Sequence, residues 1–160
     1  MGTNQKRDIE KLHRESVIFD GLLMQSGDEN PAHIRRELRS LMDRHAGVYR
    51  TGESMKQGLD AIAELRRRFR SVCVRDKSRI YNTNLIQVLE TENMLELAEA
   101  LLFAGLAREE SRGGHARTDF TRRDDEKYLA HSMVFHTGGR PRLEYKPVTI
   151  TGWKPVERKY

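Results

Sequence analysis

The segment Glu110–Glu126, ESRGGHARTDFTRRDDE, concentrates the residue types that do chemistry. Carboxylates, arginines, a serine and a histidine surround an adjacent Gly113-Gly114 pair, and Phe120 is its one large apolar residue. Such a stretch can be a metal site, a nucleophilic site, a phosphate-binding patch or a shaped polar surface. The spacing of His115, His131 and His136 fits no standard zinc pattern, and Cys73, the only cysteine, adds no second thiolate. Asp124-Asp125-Glu126 has the charge to hold a divalent cation. Its alternation with Arg122 and Arg123 reads more simply as self-neutralisation. No G-x-S-x-G elbow surrounds Ser111, and no G-x-G-x-x-G or G-x-x-x-x-G-K-[ST] run occurs anywhere. The expectation is therefore no catalytic, cofactor-binding or metal-ligating residue in this chain. Arg112 and Arg117 have the fork geometry to grip carboxylates, and Asp119 and Asp124 are available acceptors. Arg112, Gly113, His115, Arg117, Asp119, Arg123, Asp124, Asp125 and His131 are the candidate interface or structural residues. A shaped polar interface is the first reading; a solvated loop and a functional site are the alternatives.

Two other features invite a functional reading. Arg66–Arg70, RRRFR, offers four arginines to a phosphate or nucleic acid, but it falls in the last turns of an expected helix, where cations complement the helix dipole. A basic helical nucleic-acid module stands as an alternative. Against it, the net charge of +5 is unevenly placed. Six Lys/Arg against two Glu after residue 139 put four of the five charges in the tail and leave the body near neutral. Cys73 ends an apolar helix face and is expected to be a small buried hydrophobe. No apolar run is long enough to cross a membrane, and the N-terminus lacks the apolar core of a signal peptide.

The elements that must position the charged segment are helical. Apolar residues from Ile9 to Leu23 predict a first helix over about 4–24. Asn30 and Pro31 are cap and first-turn residues for a second. Its stripe is Ile34, Leu38, Leu41, Met42 and His45, and Gly47 stops it. Thr51 caps a third helix, with Met55, Leu59, Ile62, Phe69 and Cys73 on its apolar face. Thr83 or Asn84 caps a fourth, running about 26 residues to Glu109 and spanning ~39 Å at the α-helical rise. Beyond Gly113-Gly114 the period is lost. A short helical turn near Asp124–Tyr128, a strand at Met133–Thr137 and a Pro-bearing edge strand from Leu143 predict a small hairpin within 128–150. TGWKPVERKY reads as an arm laid over a surface, with Trp153 as its anchor. The fold class expected is mainly α: an antiparallel three-helix bundle, spectrin-repeat-like, with a C-terminal β-hairpin extension. The divisions are 1–29 (N-terminal helix and connector), 30–110 (bundle) and 111–160 (polar loop, hairpin and arm).

The polar segment also resembles a known motif. In the C-terminal domain of succinate dehydrogenase and fumarate reductase flavoprotein subunits the usual form is similar to E-S-R-G-A-H-x-R-x-D-F/Y-P-x-R-D-D-E, followed by H-S or H-T. Glu110, Ser111, Arg112, Gly113, His115, Arg117, Asp119, Phe120, Arg123, Asp124, Asp125, Glu126, His131 and Ser132 match it. Gly114 replaces the common Ala, Thr121 the common Pro, and Tyr128 a frequent Trp. RRELRSLMDRHAGVYRTGESMKQGLDAI resembles the family's helix pair, and KPVTITGWKPVERKY its C-terminal arm. The resemblance implies a parent that binds FAD in an upstream Rossmann-like domain and oxidises succinate to fumarate, or the reverse. Electrons would pass to an iron–sulfur subunit and a quinone. It implies for this chain a non-catalytic domain that buttresses the FAD-binding domain and helps meet the iron–sulfur subunit. The complex would lie in the cytoplasm, peripheral on the inner face of a membrane that it touches only through partner subunits. Fumarate reductase, L-aspartate oxidase and adenylylsulfate reductase share related helices. The D-F-x-x-R-D-D-E run and the K-P-V-x-x-x-x-W ending favour succinate dehydrogenase over the last two.

Overall fold

The computed structural model describes residues 3–153, 155 and 156; of residues 3–9 and 12–15 it describes the backbone only. The side chains of Ile9 and Leu12, and the end of the arm at 157–160, lie outside the described residues. Among the described residues there are five helices: α1 (Thr3–Met24), α2 (Pro31–His45), α3 (Gly52–Phe69), α4 (Thr83–Ala107) and a single turn, α5 (Asp125–Tyr128). Two short ladders complete the fold. β1 (Tyr49–Arg50) runs parallel to β2 (Ala116–Arg117), and β3 (Ala130–Phe135) pairs antiparallel with β4 (Arg142–Pro147). The expected mainly helical fold with a hairpin extension is what the chain adopts.

Helices α2, α3 and α4 each begin where a polar side chain meets free amides. Asn30 accepts from the Ala32 amide at 2.9 Å and Pro31 fills the first helical position. Thr51 accepts from the Ser54 amide at 3.1 Å. For α4 the cap is Asn82, one residue before the expected Thr83 or Asn84. Its Oδ1 accepts from the Leu85 amide at 2.7 Å, while its Nδ2 donates to the carbonyls of Asp76 and Ser78. Asn84 instead ties down the preceding loop, accepting from the Arg75 amide at 2.6 Å. The far end of α4 is Ala107, because Arg108 turns out to extended backbone.

The core is the seam where α2, α3 and α4 meet. Ile34 and Leu38 face Met55, Ile62 and Leu65, and Val88, Leu95, Ala98 and Leu102 close it from α4. Burying such side chains contributes ~1.5–3 kcal/mol each against solvent. Gly58 lets the helices approach. A Cβ there would stand 2.8 Å from Leu102 Cδ1 and 2.9 Å from His45 Cβ. Helix α3 ends at Phe69, before Cys73, and the chain continues extended. Val72 and Val74 therefore point into the core while Cys73 between them turns aside, half-buried, with its thiol 3.7 Å from the Gln25 carbonyl. The buried apolar role expected of Cys73 falls to its neighbours.

Three of the four arginines of the RRRFR cluster are paired within the molecule. Arg66 pairs with Glu99, Arg67 with Glu64 at 2.5 Å, and Arg68 with Glu29 at 2.9 Å and Glu37 at 2.6 Å. The last contact ties the end of α3 to α2. A second departure lies in the arm, where Trp153 is 97% exposed and anchors nothing. Among the described residues of the arm, the Val156 carbonyl accepts from Arg123 Nη1 at 2.8 Å.

Candidate functional site

A helix leaves its last carbonyls without internal partners, and its C-terminus carries partial negative charge. The polar segment is folded over that end of α4. Arg117 is almost fully buried (3% exposed), and its Nη1 donates to the carbonyls of Gly105, Leu106 and Arg108 at 3.2–3.3 Å. Tyr128 and Tyr145 both donate their hydroxyls to the Ala107 carbonyl, at 3.2 and 3.3 Å. His115 Nε2 sits 3.0 Å from the Arg108 carbonyl and is placed to donate to it. The other side of the Arg117 guanidinium forks onto Asp119, with Nε to Oδ1 at 2.6 Å and Nη2 to Oδ2 at 2.7 Å. Asp119 Oδ2 also accepts from the Gly52 amide, the first of α3, at 2.7 Å. One Arg–Asp clasp therefore places a cation at the end of α4 and an anion at the start of α3, the favourable sign at both. These contacts hold the Asp119 carboxyl well below the usual carboxylate range. The Arg117 hydrogen bond is the main cause, working against partial burial. Phe120 lies over the guanidinium, 4.8 Å from ring centre to Cζ.

A second knot centres on Glu110, whose side chain is fully buried (0% exposed). Oε1 accepts from Arg108 and from Arg112 Nε at 2.8 Å; Oε2 accepts from Arg112 Nη2 at 3.0 Å and from the Asp124 amide at 2.9 Å. Burial pushes this carboxyl up, but the donors from Arg112, Asp124 and Arg108 together hold it below its ordinary value. Arg112 extends the knot to Asp125 at 2.7 Å, and Arg123 grips the other oxygen of Asp125 at 2.8 Å. Arg108 reaches the hairpin through the carbonyls of Tyr128 and Ala130 and the Ser132 hydroxyl. Its guanidinium also stacks on the Tyr128 ring at 5.4 Å.

The remaining candidates have local roles. Gly113, at φ +57°, occupies the left-handed region at a tight turn closed by reciprocal backbone hydrogen bonds between Arg112 and His115. Asp124 caps α5 by accepting from the amides of Glu126 and Lys127; it is not an arginine's carboxylate partner. His115 Nδ1 is 3.4 Å from Arg50 Nη1. Burial pulls the His115 pKa down, with Arg50, Arg117 and Arg108 adding to the effect. Burial and these cations favour the neutral ring, against the Arg108 carbonyl, which favours a proton on Nε2. His131 stands apart, exposed on β3 opposite Lys146, and it is Ser132 beside it that joins the network.

Arg108, Glu110 and Tyr128 are central to this arrangement and were not among the candidate residues. The motif match includes Glu110, but nothing local distinguishes a carboxylate destined for full burial from its exposed neighbour Glu109. Arg108 grips residues 20 and 22 positions on, a separation that spacing rules do not reach. The polar groups of the site are largely engaged with one another. Both ring nitrogens of His115 are engaged, Ser111 has no base and its hydroxyl bonds the Phe120 carbonyl at 2.8 Å. Among the described residues no three His, Cys, Asp or Glu side chains converge as metal ligands would.

These features define a helical domain whose longest helix is capped by a charged loop and a hairpin. The family model "Fumarate reductase flavoprotein C-term" matches residues 35–160. The fumarate reductase flavoprotein subunit of Mycobacterium tuberculosis is 44% identical over 135 residues, covering 84% of this chain and 23% of that protein. The succinate dehydrogenase flavoprotein subunit of Rickettsia bellii is 37% identical over 143 residues, covering 89% and 24%. Among solved structures, quinol fumarate reductase from Escherichia coli superposes with a TM-score of 0.90 at 36% identity, covering 98% of this chain and 27% of that one. The chain belongs to the fumarate reductase and succinate dehydrogenase flavoprotein family, as its C-terminal domain. It spans about a quarter of the length of the curated relatives it matches.

Proposed function

We propose that this chain is the non-catalytic, structural C-terminal domain of an FAD-dependent flavoprotein subunit that interconverts succinate and fumarate. Its charged cap over α4 shapes a surface that meets the FAD-binding part of the same subunit and the iron–sulfur subunit. The carrying observation is the Glu110 knot. A carboxylate with no exposure, held by two arginines and a backbone amide, is costly to assemble and fixes one geometry of loop, hairpin and helix end. That suits a scaffold, whereas an active site needs groups left open to a substrate.

The described residues do not make a dinucleotide cradle. They hold no strand–turn–helix unit with glycines at a phosphate-binding turn, and a groove of about 410 Å³ between α4 and the hairpin is open and mixed in character. No step of the parent reaction is assigned to these residues. In the parent, hydride would pass between the dicarboxylate and a flavin held elsewhere, and electrons would go on to the iron–sulfur subunit and a quinone. The motif details favour a succinate dehydrogenase-type parent over an L-aspartate oxidase-like one; a fumarate reductase is the alternative, and the names of several relatives support it. No helix of the described residues is long and apolar enough to cross a membrane. Attachment to the inner face of a membrane would then be peripheral, through partner subunits.

The test is Arg112→Ala in the full flavoprotein subunit. The substitution removes a guanidinium that links Glu110 to Asp125. We expect impaired association with the iron–sulfur subunit and reduced succinate:quinone turnover. Unchanged assembly with unchanged turnover in both directions would sink the interface role.

A further inference from the structure

The connection from α3 to α4 is heavily braced and yet presents two large apolar side chains to solvent. Ile80 is 75% exposed and Tyr81 is 95% exposed. Tyr81 also sits at φ +54°, the only described non-glycine residue with positive φ. A bulky side chain pays a steric penalty in that region, where Gly or Asn would not. Mobile loops relax such a conformation; this one is locked. Asn84 Oδ1 holds the Arg75 amide, and Asp76 Oδ1 holds the Ser78 amide at 2.9 Å. Asn82 Nδ2 holds the carbonyls of Asp76 and Ser78 at 2.7 and 2.8 Å, and the Thr83 amide bonds the Tyr81 carbonyl at 2.9 Å. Arg79 pins the apex to α1 through Asp20 at 2.8 Å. On α1, Val17 and Met24 lie three residues before and four after Asp20, hence on its face of the helix, and both are exposed, Met24 at 82%.

The loop thus spends backbone strain and these six polar contacts to hold out an aromatic residue that is 95% exposed. Aromatic anchors on a pre-ordered backbone are how interfaces concentrate binding energy, because the cost of ordering the loop is met before docking. The Arg79–Asp20 pair ties the loop bearing exposed Ile80 and Tyr81 to the α1 face bearing exposed Val17 and Met24, and exposed apolar side chains on joined elements mark contact surfaces. The occupant is indicated by length. Aligned relatives carry about three quarters of their residues outside the matched region, and the matched family is a C-terminal one. In them most of the polypeptide precedes this domain. We propose that the Ile80–Tyr81 apex, with Val17 and Met24, is the anchor by which this domain docks into an apolar pocket on the FAD-binding part of the same subunit. This rests on the domain reading above and assigns it a specific contact.

Hydroxyl-radical footprinting tests it, comparing the 160-residue chain with the full flavoprotein subunit. Oxidation at Tyr81 is expected to be fast in the chain and to fall on the order of tenfold in the subunit, as a desolvated pocket requires. Unchanged oxidation at Tyr81, with protection elsewhere on the domain, would overturn the docking site alone. No protection anywhere would overturn the domain reading with it. Protection that grows with concentration in the 160-residue chain would identify a second copy as the occupant and overturn this one. A second arm uses Tyr81→Asn, which tolerates the left-handed backbone. It is expected to raise the unfolding temperature of the 160-residue chain and to lower that of the subunit. A rise in both would show that the ring docks nowhere.

Discussion

Glu110 is the residue on which the charged segment turns. Its four hydrogen bonds come from two guanidinia and one amide, and none of its surface meets water. Glu110→Ala would leave Arg108 and Arg112 close together with the neutralising carboxylate gone. Breaking a buried pair from one side typically costs ~3–5 kcal/mol. We expect a loss of that size in the denaturant midpoint, with an unchanged dependence on denaturant concentration; a loss under ~1 kcal/mol would show that the knot is solvated in solution. Arg112, Arg117, Asp119, Arg123 and Asp125 form ion pairs within the segment, as their fork geometry and proximity imply. Asp124 departs because the amides of a starting helix turn are nearer to it than any free guanidinium. A sequence shows which carboxylates are available, not which acceptor each donor will reach.

At the scale of elements, the helices follow from local rules that the sequence carries openly. Caps at Asn30 and Thr51 and apolar stripes of period 3.6 need no long-range information. The hairpin strands were legible from alternation, and their register places Ser132 opposite Tyr145, both turned toward the end of α4. Less legible was the reason for Gly58. Within α3 it looks like a weak helix former; in the fold it is the point where α2, α3 and α4 touch. Gly58→Ala would gain about 1 kcal/mol of helix propensity but force its methyl against Leu102 and His45. Overpacking of this kind costs ~1–3 kcal/mol, so we expect net destabilisation, read as a lowered thermal midpoint. A raised midpoint would mean that the helix seam has slack.

For the whole molecule, pH is the global variable. His115 is held below its ordinary value of 6.5 by burial and neighbouring cations, so the unfolded chain takes up a proton before the folded one does. Stability is then full above about pH 6.5 and declines as pH falls from there toward the folded value. The carboxylates form a second step. Asp119 is depressed chiefly by Arg117, Asp125 by Arg112, and Glu29 and Glu37 by Arg68. Their contribution is present above about pH 4 and is lost as pH falls through their folded values. Thermal midpoints measured from pH 8 to pH 3 should therefore fall in two stages, and His115→Gln should remove the upper one. A single stage below pH 4 in the native chain would show that His115 is open to solvent.

The sequence by itself determined the helical class, the boundaries of α2 and α4 to within two residues, the start of α3, the hairpin and the family. Each rests on short-range periodicity, caps and turn residues, or on a contiguous run of side chains. Only the tertiary structure decided that Arg117 and Asp119 would join the end of α4 to the start of α3, that Glu110 would be the buried centre, that Trp153 would stand free and that Tyr81 would be held out to solvent. These depend on which distant surfaces meet. A charged side chain's role is set by the partner that desolvates it, and that partner lies tens of residues away along the chain.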